Sequence, residues 1–434
     1  MKREMPEWYR WVMMTMFCII SFLVAMCQFQ PSFFARDIMA AFGVNTQGYS
    51  WMTAFPMITG IIIALALGSL TDKFGMRNTM LVSLIVTSVG AIARAYCTSY
   101  IVLLLMSSLL GIVATFVTVN MAKLAMLWFP PRQIGLAVGI MSAAGSAGMA
   151  VAQAVTGIMF SDFRSAFFWG GISLAIATVL WVILGRDKTS SAVPAVADSG
   201  LETVAGSGNS GKPAEKATSK SSGRGGFASA MKCKGVWIAG VGAALYAGFN
   251  ITAGSLLTTA LIVNWATDAV QAGIVTSLFT CGVIVGAIVM PPFVSSKPYA
   301  KVLSISLPIL AMGLFIIGWN INVLAARCVL FPIAGIFFGG ISPIFFSYPS
   351  VLPEINNENS GAAGGIITTL MTVGATCFPT LVITPIAGSD YNLLICLGCL
   401  CGLLAAIPFA LLPSTYRGAK TQGREAVELD RGEK

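Results

Sequence analysis

Apolar residues run through this chain in long unbroken blocks, not in the narrow stripes of a soluble helix or the alternation of a half-buried strand. Crossing the hydrocarbon core of a bilayer takes about 20 apolar residues as helix. Twelve blocks approach or exceed that length: 11–34, 49–70, 78–98, 101–125, 134–159, 165–185, 235–263, 270–292, 302–318, 323–348, 361–386 and 391–413. The first follows Lys2, Arg3 and Arg10, is long for a removable leader and lacks a small-residue cleavage site, so it is expected to remain as a helix. Between blocks six and seven the pattern stops. Residues 187–233 are rich in Ser, Gly, Ala, Lys and Thr, as in Gly206-Ser207-Gly208-Asn209-Ser210-Gly211, and read as a solvated linker with a short amphipathic turn around Phe227–Met231. The pattern predicts an all-α membrane protein of about twelve transmembrane helices in two six-helix halves, 1–186 and 234–416, with the linker between them and a cytoplasmic tail at 417–434.

Composition narrows the function. Of the 434 residues, 56% are hydrophobic and only 10% charged, and the mean hydropathy is +0.83. A soluble domain carries roughly 25% charged residues, so soluble enzymes, nucleic-acid modules and disordered proteins are excluded. The net charge of +9 reflects orientation. With the N-terminus inside, nearly every Lys and Arg falls in a cytoplasmic segment, leaving Arg36, Arg94, Arg164 and Arg327 on the other side. This predicts a multi-pass protein of the plasma (inner) membrane with both termini cytoplasmic. Cysteines such as Cys18, Cys27, Cys281 and Cys377 lie inside apolar blocks, and the Cys396-Leu-Gly-Cys399-Leu-Cys401 stretch has no histidine or charge to support a metal site. With no His, no P-loop and no acidic pair in a span, no enzyme, cofactor or metal is expected. The expected partners are a small-molecule solute and the lipid bilayer, not nucleic acid, and the expected state is a monomer.

Two patterns carry more specific information. The halves echo each other: Trp128-Phe-Pro-Pro-Arg132-Gln-Ile-Gly135-Leu-Ala-Val-Gly139 follows block four, and Leu352-Pro353-Glu354 with Ser360-Gly361-Ala-Ala-Gly364-Gly365 follows block ten. Repeated halves suit a transporter in which one repeat rocks against the other. Between blocks two and three lies Gly68-Ser-Leu70-Thr-Asp72-Lys73-Phe-Gly75-Met-Arg77. Gly68 allows close helix approach, Gly75 a tight turn, and Asp72 can pair with a base or a helix N-terminus.

This segment resembles the fingerprint of the major facilitator superfamily. The resemblance implies that Gly68, Leu70, Asp72, Lys73, Gly75 and Arg77 clamp the inner helix ends during a conformational switch. The second-half counterpart, Gly286 to Lys297, keeps the glycine and the base but has no acid. The start of block five, Gly135-Leu-Ala-Val-Gly139, is similar to that of oxalate/formate-type and nitrate-type porters. The helix-embedded arginines of those branches are missing from blocks two and eight, which counts against nitrate, and the Gly-Pro pair of drug/proton antiporters is absent from block five.

Polar groups inside a membrane are costly and therefore candidate sites. Gln28, Gln30, Gln153, Tyr246, Phe249, Asn250 and Arg327 are the substrate-binding candidates, with the glycines around Asn250 suggesting a locally unwound helix. Arg94 and Lys123 end their blocks and are expected to snorkel to the interface. Every acid lies outside the blocks, so facilitated diffusion or exchange is expected, with Asp37 the one candidate for proton coupling. The reading is a secondary transporter of a small organic anion such as a carboxylate. A drug or metabolite exporter and a non-transporting sensor are the alternatives.

Overall fold

The computed structural model describes residues 8–130, 133–186, 230–295, 299–350, 352, 355 and 360–414. Most of the linker and the whole C-terminal tail, together with Arg132, Lys297, Pro353 and Glu354, lie outside the described residues. No strand occurs among the described residues, and each apolar block is a helix. In chain order these are α1 (Tyr9–Phe29, extended by the 3-10 turn Gln30–Ser32), α2 (Thr46–Phe74), α3 (Met76–Ala93, then Arg94–Tyr96) and α4 (Tyr100–Ser108 and Leu110–Trp128). They continue as α5 (Ile134–Met159), α6 (Phe163–Leu184), α7 (Lys234–Trp265), α8 (Ala269–Ser295) and α9 (Ala300–Asn320). The last three are α10 (Leu324–Gly339 and Ile341–Ser347), α11 (Ser360–Cys377, Phe378–Ile383 and Thr384–Ala387) and α12 (Tyr391–Leu404 and Ala406–Leu411). Among the described residues, 11 helices are long and apolar enough to cross a membrane. The other, α2, has 29 residues, about 43 Å at 1.5 Å per residue. Ile62, Val89, Ile183, Ile288 and Leu411 stay exposed on the outside of the bundle, where hydrocarbon and not water is the compatible solvent.

The packing repeats. In the first half α1 packs on α5, α2 on α4 and α3 on α6; in the second α7 packs on α11, α8 on α10 and α9 on α12. The halves meet through α5 against α8 and α2 against α11, which are the same two roles exchanged. The approach is equally close in both: Gly148 leaves no room for a Cβ against the Phe22 carbonyl, nor Gly374 against that of Ala244. Counting from those anchors, Gln28 and Asn250 occupy equivalent positions in α1 and α7. Helix starts repeat too, at the distal end of the bundle, opposite the start of α1 and the end of α12. Asn45 and Asp268 cap α2 and α8, and Asp162 and Asp390 cap α6 and α12, each side chain accepting backbone N–H groups at 2.9–3.4 Å.

Where side chains vanish, helices touch backbone to backbone. Gly282 and Gly286 of α8 face the carbonyls of Pro332 and Ile336, while Gly335 and Gly339 of α10 face those of Phe279 and Val283. Two glycines spaced by four on each helix thus form a reciprocal lipid-phase contact, whose strength comes from van der Waals packing.

One expectation is corrected. α7 is a single unbroken helix of 32 residues through Asn250. The glycines around it serve packing instead: Gly248 meets Phe378, and Gly254 meets Phe29 and Met149. An irregular stretch lies instead in α11, where Phe378–Ile383 is π-helical and the Thr384 hydroxyl donates to the Pro379 carbonyl at 2.8 Å.

Candidate functional site

Among the described residues, the two halves share an apolar core at one end only. At the distal end their apolar residues form one continuous core, in which Phe34, Tyr49, Met52 and Phe167 of the first half join the second. Toward the termini the first half keeps a separate core of its own, built from residues such as Met13, Phe17, Met80, Phe116 and Trp181. The halves therefore share a core distally, and their cores part toward the start of α1.

Gln153 is the polar centre of that junction. It is fully buried on α5, yet both ends of its carboxamide engage the other half. Its Nε2 donates to the Gly254 carbonyl of α7 at 3.0 Å, and its Oε1 accepts from Thr280 Oγ1 of α8 at 2.7 Å. Gly273 of α8 lies against the Gln153 carbonyl, and Thr259 of α7 donates to the Ser32 carbonyl at 3.5 Å. A neutral amide suits such a seam. It satisfies two groups in a buried interface without the desolvation cost of a charge.

The remaining candidates are dispersed. Gln28 and Asn250 are half-buried at their equivalent positions, and the Asn250 Nδ2 donates to the Tyr246 hydroxyl at 3.2 Å. Tyr246 stacks on Phe338 with ring centroids 4.4 Å apart. Phe249 lies deep in the second half, packed on Phe279, Phe315 and Phe338, and so belongs to an aromatic core of α7 to α10. Gln30 is completely buried beside Gly170, inside the first half, and neither atom of its carboxamide has a partner among the described residues. Asp37 is exposed in the first turn of a short distal helix, Ala35–Phe42. Lys123 is half-buried on α4.

Arg94 does not snorkel. It is 1% exposed, with both Nη atoms 3.3 Å from the Cys27 carbonyl and its guanidinium 4.5 Å over the Phe167 ring. Pro31 has no N–H to give that carbonyl, and the arginine fills the vacancy, which holds it inward. Arg327 is likewise 2% exposed, with Nη1 at 3.2 Å from the Thr267 hydroxyl and its guanidinium 5.0 Å over Trp265. It lies within the distal end of the second half. Ala266, between Trp265 and Thr267, has φ 49°, a left-handed conformation that turns the chain so that both neighbours meet the arginine.

At the α2–α3 loop, Gly75 has φ 84°, the left-handed conformation its lack of a Cβ permits. Arg77 then binds α3 to the end of α6: its Nη2 donates to the Val182 carbonyl at 3.1 Å, and its own carbonyl accepts from Trp181 Nε1 at 3.0 Å. Leu70 is exposed, and Lys73 lies 5.3 Å from the Phe74 ring. The side chain of Asp72 and the surroundings of Gly68 lie outside the described residues.

Sequence reasoning missed Thr280 and Gly254, the two partners of Gln153, because a threonine and a glycine in an apolar run carry no signal of their own. It also missed Asn264 and Trp265 near Arg327, for which the polar break at the end of block seven was the available cue.

Comparison with known proteins agrees with this architecture. Residues 17–379 match the family model described as Major Facilitator Superfamily. Over 135 residues the chain is 28% identical to the probable nitrate/nitrite antiporter NarK1 of Thermus thermophilus, a match covering 31% of this chain and 30% of that protein. Over 161 residues it is 30% identical to the nitrate/nitrite transporter NrtP of Nostoc punctiforme, covering 36% of this chain and 32% of that protein. The chain thus spans about a third of the length of these curated relatives. In fold it is similar to the crystal structure of a bacterial homolog of the human lysosomal transporter Spinster in an inward-facing, unoccupied conformation, with TM-score 0.69 at 13% identity, covering 93% of this chain and 95% of that one. With twelve helices in two repeated halves, a glycine-turned loop after α2 and a family match over most of its length, the chain belongs to the major facilitator superfamily.

Proposed function

We propose that this protein moves a small anion across the plasma (inner) membrane by alternating access, as a monomer with both termini cytoplasmic. The observation that carries the reading is the one-ended junction. The halves are tied distally by the neutral bonds of Gln153, and their cores separate toward the termini. Hydrogen bonds each worth about 1 kcal/mol net are strong enough to hold a state and weak enough to exchange. In this reading solute passes between the halves, with Gln28 on α1, Tyr246 and Asn250 on α7, and Gln153 at the closed end. The segment from Gly68 to Arg77 controls the opposite closure.

The anionic substrate is supported by the nitrate/nitrite transporters among the relatives and by the placement of charge. Asp162, Asp268 and Asp390 serve as helix caps and Asp37 is exposed, so these four carboxylates do not repel an anion between the halves. They are equally unsuited to carry a proton across it, which favours exchange or facilitated diffusion. Purified protein in proteoliposomes, offered labelled nitrate, formate, oxalate and lactate beside neutral analogues and empty liposomes, tests this. Saturable uptake or counterflow of an anion supports the reading. Ligand-induced thermal stabilisation without flux would make the protein a sensor.

A further inference from the structure

At the distal end of the second half a pocket of about 300 Å³ opens between the ends of α7 and α9 and the start of α12. Its walls include Asn264, Trp265, Trp319, Asn320, Asn392 and Cys396. Arg327 stands directly behind two of them, stacked at 5.0 Å on the Trp265 ring and with Nη2 3.5 Å from the Trp319 carbonyl. The two indoles meet edge to face at 6.1 Å and form a corner.

Among its buried atoms the hydrogen-bond ledger of this corner is one-sided, although Asn320, whose amino group donates to the Ile316 carbonyl, leaves its Oδ1 on the wall. Three buried atoms have no partner among the described residues: Asn264 Nδ2, Trp265 Nε1 and Arg327 Nε. All three are donors. Asn392 spends its Oδ1 on the Trp319 indole at 3.2 Å, which leaves its amino group as a further donor on the wall. The neighbouring carboxylates are already used. Asp268 accepts from Val270 and Gln271 at the start of α8, and Asp390 from Asn392 and Leu393 at the start of α12, where the helix dipoles offset their charge. A buried guanidinium with no acid, beside unpaired N–H groups, lacks acceptors and negative charge together.

We propose that this pocket is a second anion site, on the distal face of the second half and separate from the path between the halves. It takes a carboxylate or phosphate carried by a small solute or by a lipid head group. Its volume suits a molecule displacing about ten waters. The oxyanion accepts from Trp265 Nε1 and Asn264 Nδ2 once these buried groups turn to the pocket, against the field of Arg327, and the solute's apolar body rests on the indoles. The site requires no transport and stands whether or not the protein moves an anion.

Cys396 in the pocket wall is exposed and supplies the readout, with exposed Cys281 on α8 as reference within the same molecule. The experiment follows alkylation of each cysteine by N-ethylmaleimide, using peptide mass spectrometry on the purified full-length protein. The additions are benzoate, benzamide and dihexanoyl phosphatidylglycerol. Benzoate is expected to slow modification of Cys396 at least threefold while leaving Cys281 unchanged, and neutral benzamide to do neither. Protection by the phospholipid alone supports the same site and assigns it to a head group. Trp265→Phe keeps an aromatic ring beside Arg327 and removes the indole N–H together with the pyrrole part of the ring, and Asn264→Leu removes the second donor. Both are expected to abolish protection. No protection by either anion, equal protection by benzamide, or protection that survives both substitutions overturns the proposal. So does protection lost in Gln153→Ala but retained in Trp265→Phe, which would place binding between the halves.

Discussion

Arg94 gives both Nη atoms, each at 3.3 Å, to the carbonyl of Cys27, the carbonyl that Pro31 four residues later leaves without an amide donor. A charge from α3 thus completes the broken end of α1, and the ring of Phe167 from α6 covers it at 4.5 Å. Three helices are fastened at one point.

Two substitutions test that fastening together. Arg94→Gln is expected to destabilise the protein by roughly 2–4 kcal/mol, because a buried carbonyl loses its charged donors and the stacked ring its cover. Pro31→Ala restores an N–H to Cys27, so the same Arg94 change should cost about 1 kcal/mol less in that background. Apparent melting temperatures of the four variants in detergent measure the coupling. Additive effects would show that the arginine does not serve that carbonyl.

Gln153→Leu removes both bonds across the distal seam at nearly constant volume. At about 1 kcal/mol each, their loss shifts the balance toward distal opening by about thirtyfold. A reporter cysteine at Ser32, whose carbonyl meets Thr259 in the seam, should then react faster with a membrane-impermeant reagent added from the distal side. An unchanged labelling rate would remove Gln153 from the closure.

Glycine positions separate packing from open space. Gly286→Ala places a methyl against the Ile336 carbonyl of α10, and the helices have no side chain to move aside. A loss of about 1–3 kcal/mol is expected from overpacking. Gly139→Ala meets nothing within 4 Å and should be neutral. Monodispersity on size exclusion and apparent melting temperature distinguish the pair.

Asp162 supplies the pH dependence. The Ser165 hydroxyl and amide hold its carboxyl below the ordinary value of 3.8. A depressed folded value means that its stabilisation is complete well above pH 4 and is lost as pH falls through the folded value. The gap in melting temperature between wild type and Asp162→Ala should therefore be constant from pH 7 to about pH 5 and shrink in stronger acid. Because the carboxylate is exposed, the gap should be small, and a gap that grows in acid would contradict the cap.

The architecture was legible in the chain because its causes are local. A run of apolar residues needs no partner to be excluded from water, and each helix satisfies its own backbone bonds. Block lengths and the turn at Gly75 both follow from residues adjacent in sequence. The repeated caps at Asn45, Asp162, Asp268 and Asp390 are equally local, but the block pattern did not mark them.

What polar residues do inside the bundle was decided only by the fold. Gln30, Gln153, Asn250 and Arg327 look alike in sequence, each a polar group in an apolar run. Tertiary structure makes one a seam between halves, sends another into the first half with no partner among the described residues, and sets Arg327 behind a corner of two indoles. The difference lies in which carbonyl or hydroxyl a neighbouring helix brings within 3 Å, and that depends on helix rotation and approach. Hydropathy carries no record of either, because glycines such as Gly254 and Gly273 set those distances by having no side chain.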